Sequence, residues 1–221
     1  METKSLAMGE AIRYGWNTMK QHIGFFILFL LMYMAIYIGT SVIFAIVSGD
    51  NAVVYFIGNI ILMVFDVFLS LGLIRVTLSI IDNKKPDVKE LFAEGQQLLD
   101  GVILTVLYGL IVLGGTLLFI IPGIIWSIKY SQSFYLLVDK KMKPMEALKQ
   151  SGLMMEGVKM EYLGYSLLYA LIIIAGVLAL IVGLFAAVPT TMMAGTWIYR
   201  RLLNQTNTPA ATSMPMPPKM A

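Results

Sequence analysis

The segment 120–157 reads IIPGIIWSIKYSQSFYLLVDKKMKPMEALKQSGLMMEG. A Pro-Gly pair opens it, an apolar run that contains Lys129 follows, and a basic cluster separates that run from a short amphipathic stretch. Pro and Gly interrupt helices, and a basic cluster after an apolar run is typical of a helix that leaves a membrane on its cytoplasmic side. The same order of parts recurs along the chain. The segment therefore predicts repeated membrane helices with amphipathic helices between them.

The composition of the whole chain is that of a membrane protein. Its 221 residues are 58% hydrophobic and 13% charged, with a mean hydropathy of +0.80. A soluble domain is about 45–50% apolar and about 25% charged. Cysteine is absent, which excludes disulfides and thiolate metal sites. The net charge of +3 fits basic cytoplasmic loops, so we do not expect nucleic-acid binding.

Apolar runs of about 20 residues, long enough for a hydrocarbon core of about 30 Å, predict an all-α polytopic bundle of about six transmembrane helices. The predicted spans are about 23–47, 52–81, 101–121, 124–138, 162–187 and 190–203. Pro122, Gly123 and Pro189 interrupt apolar runs, so they predict helix breaks that form hairpins. Three amphipathic segments, about 1–22, 82–100 and 139–158, predict helices that lie on the membrane surface.

An internal repeat predicts the domain organisation. Asp82-Asn-Lys-Lys precedes Glu90, and Asp139-Lys-Lys precedes Glu146. Each copy leads into a span that ends in a proline. We therefore predict one transmembrane domain over 1–203, with units of about 1–81, 82–138 and 139–203, each an amphipathic helix followed by a hairpin. Residues 204–221, rich in Pro, Thr, Ala and Met, predict a disordered tail.

The distribution of Lys and Arg predicts the topology. The predicted turns at 48–51, 122–123 and 188–190 contain one charged residue, Asp50. Nearly every Lys and Arg lies near the N-terminus, in 84–89, in 140–159 or from residue 200 onward. The positive-inside rule therefore places both termini and the amphipathic segments on the cytoplasmic side of the cell membrane.

Two charged residues inside predicted spans are the main candidates for a functional site. Asp66 shares a helix face with Asn59 and Ser70, and Lys129 shares one with Gln132. An ionisable group at the bilayer centre costs about 2.5–3.5 kcal/mol on insertion scales, so it should face protein or water. Three hypotheses remain open: a structural Asp66–Lys129 pair, a hydrated or ligand-binding cavity lined by these residues, and a Lys129 that snorkels to the headgroups.

A basic run is the candidate for lipid contact. Its lysines are Lys140, Lys141, Lys143 and Lys149, and each could attract anionic headgroups by about 1 kcal/mol. Their alternative role is to fix the topology. The single histidine, His22, has no partners at metal-ligand spacing, and no catalytic or nucleotide-binding motif is present. We therefore expect no metal, no cofactor and no enzymatic activity.

Several short motifs between about 87 and 202 carry a family resemblance. They are Glu90-Leu91-Phe92, Ile121-Pro122-Gly123, Glu146-Ala147-Leu148 and Trp197-Ile198-Tyr199-Arg200-Arg201. On these residues the chain resembles the DUF975-type family of prokaryotic integral membrane proteins. That family looks related to YciC-like proteins and to the membrane domains of some glycerophosphodiester phosphodiesterases. The resemblance implies a six-helix membrane protein and supplies no catalytic residues.

These patterns predict a non-catalytic membrane scaffold or regulatory module. Its expected partners are membrane lipids and other membrane proteins or a second copy of the chain. The alternative is a small transporter, permease or lipid-handling protein with a polar cavity around Asp66 and Lys129. A water-accessible cavity at Asp66 would distinguish the alternative from the scaffold.

Overall fold

The computed structural model describes residues 4–49, 51–179 and 182–207, and all regular secondary structure in this part is helical. The helices are α1 (Met8–Gln21), α2 (Ile23–Ser48), α3 (Ala52–Ile81), α4 (Leu98–Leu118), α5 (Ile120–Lys129), α6 (Ser133–Lys140), α7 (Pro144–Met154), α8 (Lys159–Leu178) and α9 (Leu184–Asn207). Two 3₁₀ turns, Val88–Phe92 and Gly95–Gln97, lie between α3 and α4. The predicted all-α class is confirmed for these residues.

Four segments of the described chain are long and apolar enough to cross a membrane. They are Ile23–Ser48, Ala52–Ile81, Val88–Leu118 and Lys159–Leu178. Helices α2 and α3 begin and end within one residue of the predicted spans. Most of the surface of α2 and of the first half of α3 is exposed and apolar, as expected for helices surrounded by lipid. These four segments indicate a membrane protein.

The most buried helix is α9, which is not one of the four. Most of its side chains between residues 187 and 203 are buried, including Thr190, Thr191 and Thr196. Each of the two buried hydroxyls of Thr191 and Thr196 donates to a carbonyl one turn earlier in α9. Because protein covers α9 on nearly all sides, its sequence does not need the apolar surface of a lipid-facing helix.

Helix α1 packs along α9 in the opposite direction. Arg201 Nε donates to the Ser5 carbonyl at 2.8 Å, while Gly15 lies so close to Thr190 that a Cβ on Gly15 would overlap the Thr190 carbonyl oxygen. The apolar face of α1, with Ala11 and Tyr14, is buried by this contact. A helix is present within the predicted segment, at Met8–Gln21, and protein buries the face that carries Ala11, Tyr14 and Met19. Trp16, on the face that we predicted to lie on lipid, remains 47% exposed.

The predicted break at Pro122-Gly123 is shifted by three residues. Helix α4 ends before Phe119, which has extended backbone angles, and Pro122 and Gly123 lie in the first turn of α5. Proline is tolerated there because the first turn has no intrahelical acceptor for its missing N–H group. A Cβ on Gly123 would overlap Thr116 of α4. Gly123 therefore allows α5 to fold back closely against α4.

The predicted break at Pro189 is wrong. Pro189 lies inside α9, and α8 ends at Leu178 instead of continuing to about residue 187. Pro189 removes one backbone hydrogen bond, but neighbouring helices hold buried membrane helices together at such positions. Here the backbone of Gly15 in α1 packs directly against Thr190. Tertiary packing therefore keeps α9 continuous through the proline.

Two other predicted elements are divided. The predicted span 124–138 consists of α5 and α6, which are separated at residues 130–132. The predicted helix within 82–100 is instead the pair of 3₁₀ turns, in which the Leu91 backbone lies against Gly72 of α3. The first residues of the predicted tail, 204–207, belong to α9, which continues to Asn207. Residues 208–221 lie outside the described residues. Asp50 of the predicted turn 48–51 lies outside them as well.

Candidate functional site

The sequence-predicted polar residues of α3 lie on the exterior of the protein. Asn59, Asp66 and Ser70 are exposed in the structure. Asp66 is the fifteenth of the thirty residues of α3, which places it near the middle of a candidate membrane span. We call Asn59, Asp66 and Ser70, together with Tyr33 of α2, the outer polar face.

Among the described residues, Asp66 has one hydrogen-bond partner, which lies in α2. The Tyr33 hydroxyl donates to Asp66 Oδ1 at 2.7 Å. Tyr33 stacks between Phe29 and Tyr37, with ring centroids 6.3 and 6.1 Å apart. These three aromatic residues are spaced four apart, so they form one stripe along α2. Sequence reasoning missed Tyr33, although this spacing was a signal that could have identified it.

The other two α3 residues of the outer polar face each donate a hydrogen bond within their own helix. Asn59 Nδ2 donates to the Tyr55 carbonyl at 2.8 Å, and Ser70 Oγ donates to the Val67 carbonyl at 2.9 Å. An ionised carboxylate can accept about four hydrogen bonds. Asp66 is therefore the member of the outer polar face with the largest unused hydrogen-bonding capacity.

Lys129 is not near the outer polar face. Its aliphatic chain lies against Gly152 of α7, and its ammonium group lies 5.2 Å from the centre of the Tyr130 ring. Among the described residues, no ion pair joins Lys129 to Asp66. The hypothesis of a structural Asp66–Lys129 pair is therefore not supported, whereas the cavity and snorkelling hypotheses stay predictions.

Gln132 lies at the break between α5 and α6, where it is buried. Ser151 of α7 bridges this break, since its Oγ accepts from the Gln132 backbone N–H at 3.1 Å and donates to the Lys129 carbonyl at 2.9 Å. The Gln132 side chain donates to Ser131 Oγ at 3.1 Å. Helix α7 thus satisfies backbone groups that the break leaves free, and Gln132 belongs to this joint.

Arg200 of α9 joins the ends of two other helices. Its Nη2 donates to Asp82 Oδ2 at 2.8 Å and its Nη1 donates to Asp139 Oδ2 at 3.1 Å. The Tyr199 hydroxyl donates to the same Asp139 oxygen at 2.8 Å. The side chains of Arg200 and Asp139 are only 9% and 11% exposed, so solvent screens this pair weakly. We call the region around Asp82, Asp139 and Arg200 the charged end.

Three of the four lysines predicted to bind headgroups have carboxylate partners. Lys140 lies 3.5 Å from Asp139, Lys143 lies 3.1 Å from Asp100, and Lys141 pairs with the buried Glu94. Lys149 is exposed on α7. Most of the charge in this basic run is therefore neutralised within the protein, which leaves less of it to attract an anionic lipid.

No family model, no curated protein and no solved structure matches this chain. The resemblance to the DUF975-type family therefore stays a prediction.

The outer polar face and the charged end differ in whether their charged groups have ion-pair partners. Both carboxylates of the charged end pair with Arg200, whereas Asp66 forms no ion pair with a described residue and is exposed on a candidate membrane span.

Because Asp66 and Lys129 do not contact each other, their substitutions should act independently. We expect the double variant Asp66→Asn, Lys129→Met to change the free energy of unfolding by the sum of the single changes, within about 0.5 kcal/mol. Equilibrium unfolding in mixed detergent micelles measures the free energy of unfolding of the wild type, the two single variants and the double variant. A double variant more stable than the sum by over about 1 kcal/mol would show that the two residues pair.

Proposed function

We propose that this protein is a non-catalytic membrane scaffold that binds the transmembrane helix of another membrane protein on its outer polar face. The observation that carries the proposal is the exposed position of Asp66 in the middle of α3, where its one hydrogen bond within the described part of the chain comes from Tyr33. A charged group at mid-membrane costs about 2.5–3.5 kcal/mol, and it usually faces protein or water. A partner helix that covers Asp66 would offset this cost.

In this proposal the chain crosses the cell membrane about six times, in three antiparallel pairs of helices. The four candidate spans supply four crossings. Helix α9 supplies another, since its 24 residues reach about 36 Å and its polar side chains are shielded by protein. The consecutive helices α5 and α6 form the remaining, broken crossing. Both termini, the charged end and the basic run then lie on the cytoplasmic side.

The chemistry of the outer polar face favours a partner that brings a hydrogen-bond donor or a positive charge. Asp66 offers acceptors only. The nearby donors of this chain are engaged, because Tyr33 donates to Asp66 and the Asn59 amide donates to its own helix. A symmetric dimer through this face would place the two copies of Asp66 near each other, and like charges disfavour that arrangement. A different membrane protein is therefore the better-matched partner.

Site-directed photo-crosslinking in intact cells tests this proposal. A photoreactive residue at Met63, which is 41% exposed and one turn from Asp66, should give a discrete adduct with one protein. The same residue at Ile174 of α8, which is 53% exposed, is the control position and should not give that adduct. The Asp66→Leu change should reduce the Met63 adduct about threefold to thirtyfold, the range expected for one polar contact between membrane helices.

The Lys129→Met change is the matched control, because it removes one charge from α5 without touching the outer polar face. It should leave the Met63 adduct unchanged. An adduct whose mass is twice that of this chain would identify a second copy as the occupant. Equal adducts with and without Asp66 would refute the proposal.

A further inference from the structure

A polar cleft lies where the end of α1 meets the chain that follows α3. Its volume is about 330 Å³, within the range of about 300–1,000 Å³ that is usual for ligand sites. The hydrophilic residues that line it include Asn17, Thr18, Gln21, His22, Asn83, Lys84 and Lys85. Neither Asp nor Glu is among the described lining residues. The described lining therefore presents amide groups and two ammonium groups but no carboxylate.

The two lysines of the cleft differ from the lysines of the basic run. Lys84 and Lys85 are exposed, and neither forms an ion pair with any described carboxylate. Asp82, two residues before Lys84, is engaged by Arg200 at 2.8 Å. Partial burial lowers the pKa of His22, so its ring is neutral at pH 7 and the positive charge of the cleft comes from the lysines.

The backbone holds this pair of lysines at the cleft. Asn83 adopts a left-handed conformation, with φ of 60°, which asparagine tolerates better than most residues. This conformation reverses the chain after α3 and lets the Lys84 N–H donate to the Ser79 carbonyl at 2.9 Å. The turn is thereby tied to the last residues of α3. The backbone of Lys84 is therefore fixed relative to the end of α3.

The position of the cleft matches the level of lipid phosphates. Helix α2 begins at Ile23, directly after His22, and α3 ends at Ile81, directly before the Asn83 turn. Both helices are candidate spans, so the cleft lies where the apolar helices meet the headgroup layer. Trp16 on the same helix α1 is 47% exposed, with the Lys20 ammonium group 5.8 Å from its ring centre. Exposed Trp beside Lys is typical of the membrane interface.

We propose that this cleft binds the phosphate group of an anionic lipid headgroup, with Lys84 and Lys85 as the charged ligands and Asn17 and Gln21 as hydrogen-bond donors. The inference rests on the membrane placement in the proposed function and does not involve the outer polar face. It also moves the lipid site away from the basic run, whose lysines are mostly paired with carboxylates.

Native mass spectrometry of the purified chain tests this site. The probes are phosphatidylglycerol, phosphatidylcholine and inorganic phosphate, each added alone. Wild type should retain phosphatidylglycerol in preference to phosphatidylcholine. The Lys84→Gln, Lys85→Gln variant should bind phosphatidylglycerol about thirtyfold more weakly, since each lysine near an anionic surface contributes about fivefold. The Lys84→Arg, Lys85→Arg variant, which keeps both charges, should bind as wild type does.

The matched control is Lys149→Gln, Lys159→Gln, which removes two charges elsewhere and should retain the lipid. The proposal would be overturned if the Lys84→Gln, Lys85→Gln variant and the control variant lost phosphatidylglycerol binding equally, or if neither lost it. Inorganic phosphate binding that depends on Lys84 and Lys85, without lipid binding, would support the phosphate site and assign it to a free phosphate. The Asp66→Leu variant should bind lipid as wild type does, so failure of the lipid site and failure of the partner face are separate results.

Discussion

The Arg200→Met change should lower the free energy of unfolding by about 3–5 kcal/mol, the effect of removing one partner from a buried ion pair. Arg200 is the shared partner of Asp82 and Asp139, at 2.8 and 3.1 Å. Methionine fills similar space but leaves the Asp139 carboxylate, among the described residues, with Tyr199 and Lys140 as its remaining partners. Because Asp82 follows α3 and Asp139 lies in α6, the change also removes the ion pairs that connect α9 to both of these helices, while the Tyr199 hydrogen bond to Asp139 remains. Equilibrium unfolding in mixed detergent micelles measures the effect.

Lys149→Met is the control for this prediction. It removes a positive charge from an exposed position on α7, so it should change the free energy of unfolding by less than about 0.5 kcal/mol. A second comparison uses Asp139→Asn in the Arg200→Met background, which should recover part of the lost stability because the unpaired carboxylate is removed. If Arg200→Met and Lys149→Met were equally stable, the charged end would not hold these helices together.

The Gly15→Val change should separate α1 from α9 and lower the free energy of unfolding by about 1–3 kcal/mol, the usual effect of overpacking. Any Cβ at this position would overlap the Thr190 carbonyl oxygen, and backbone cannot move aside as a flexible side chain can. The displaced helix would expose Leu6, Ala11 and Met19, which are now almost completely buried. Limited proteolysis near the N-terminus reports this displacement directly, and thermal unfolding reports the loss of stability.

Gly9→Ala in the same helix is the control. No atom lies within 4 Å of the position that its Cβ would occupy. Alanine should therefore raise the stability by about 0.4–1 kcal/mol, because it restricts the unfolded chain without disturbing the fold. Equal protease resistance of the Gly15→Val and Gly9→Ala variants would show that α1 does not depend on close packing against α9.

Helices whose length and hydrophobicity are set by lipid could be predicted from the sequence. The bounds of α2 and α3 follow from uninterrupted apolar runs flanked by turn residues, and the structure places them within one residue. The position of α9 was harder to predict from the sequence, because it depends on the other helices that cover α9. The effect of Pro189 was likewise decided by packing, because Gly15 lies against the next residue. The rule that proline ends a helix considers one residue at a time and contains no information about such contacts.

The candidate site shows the same division between local and long-range information. Helical spacing correctly placed Asn59, Asp66 and Ser70 on one side of α3, since that is a property of a single helix. The expectation that such a polar stripe faces the interior of the bundle was wrong, because the structure places this side on the exterior. The separation of Asp66 from Lys129 and the clamp made by Arg200 both depend on the arrangement of helices distant in sequence. The periodicity of polar residues within one helix gives no information about either of these arrangements.

Native mass spectrometry of the protein released directly from its membranes, wild type beside Asp66→Leu, tests most directly whether the outer polar face binds a partner. The proposed function predicts a complex of wild type with one other membrane protein, and a loss of at least about threefold of that complex in the variant. Lys129→Met should retain the complex, because Lys129 lies against Tyr130 and Gly152. A wild-type protein that is released only with lipid, or a complex equally abundant without the Asp66 carboxylate, would contradict the proposed function.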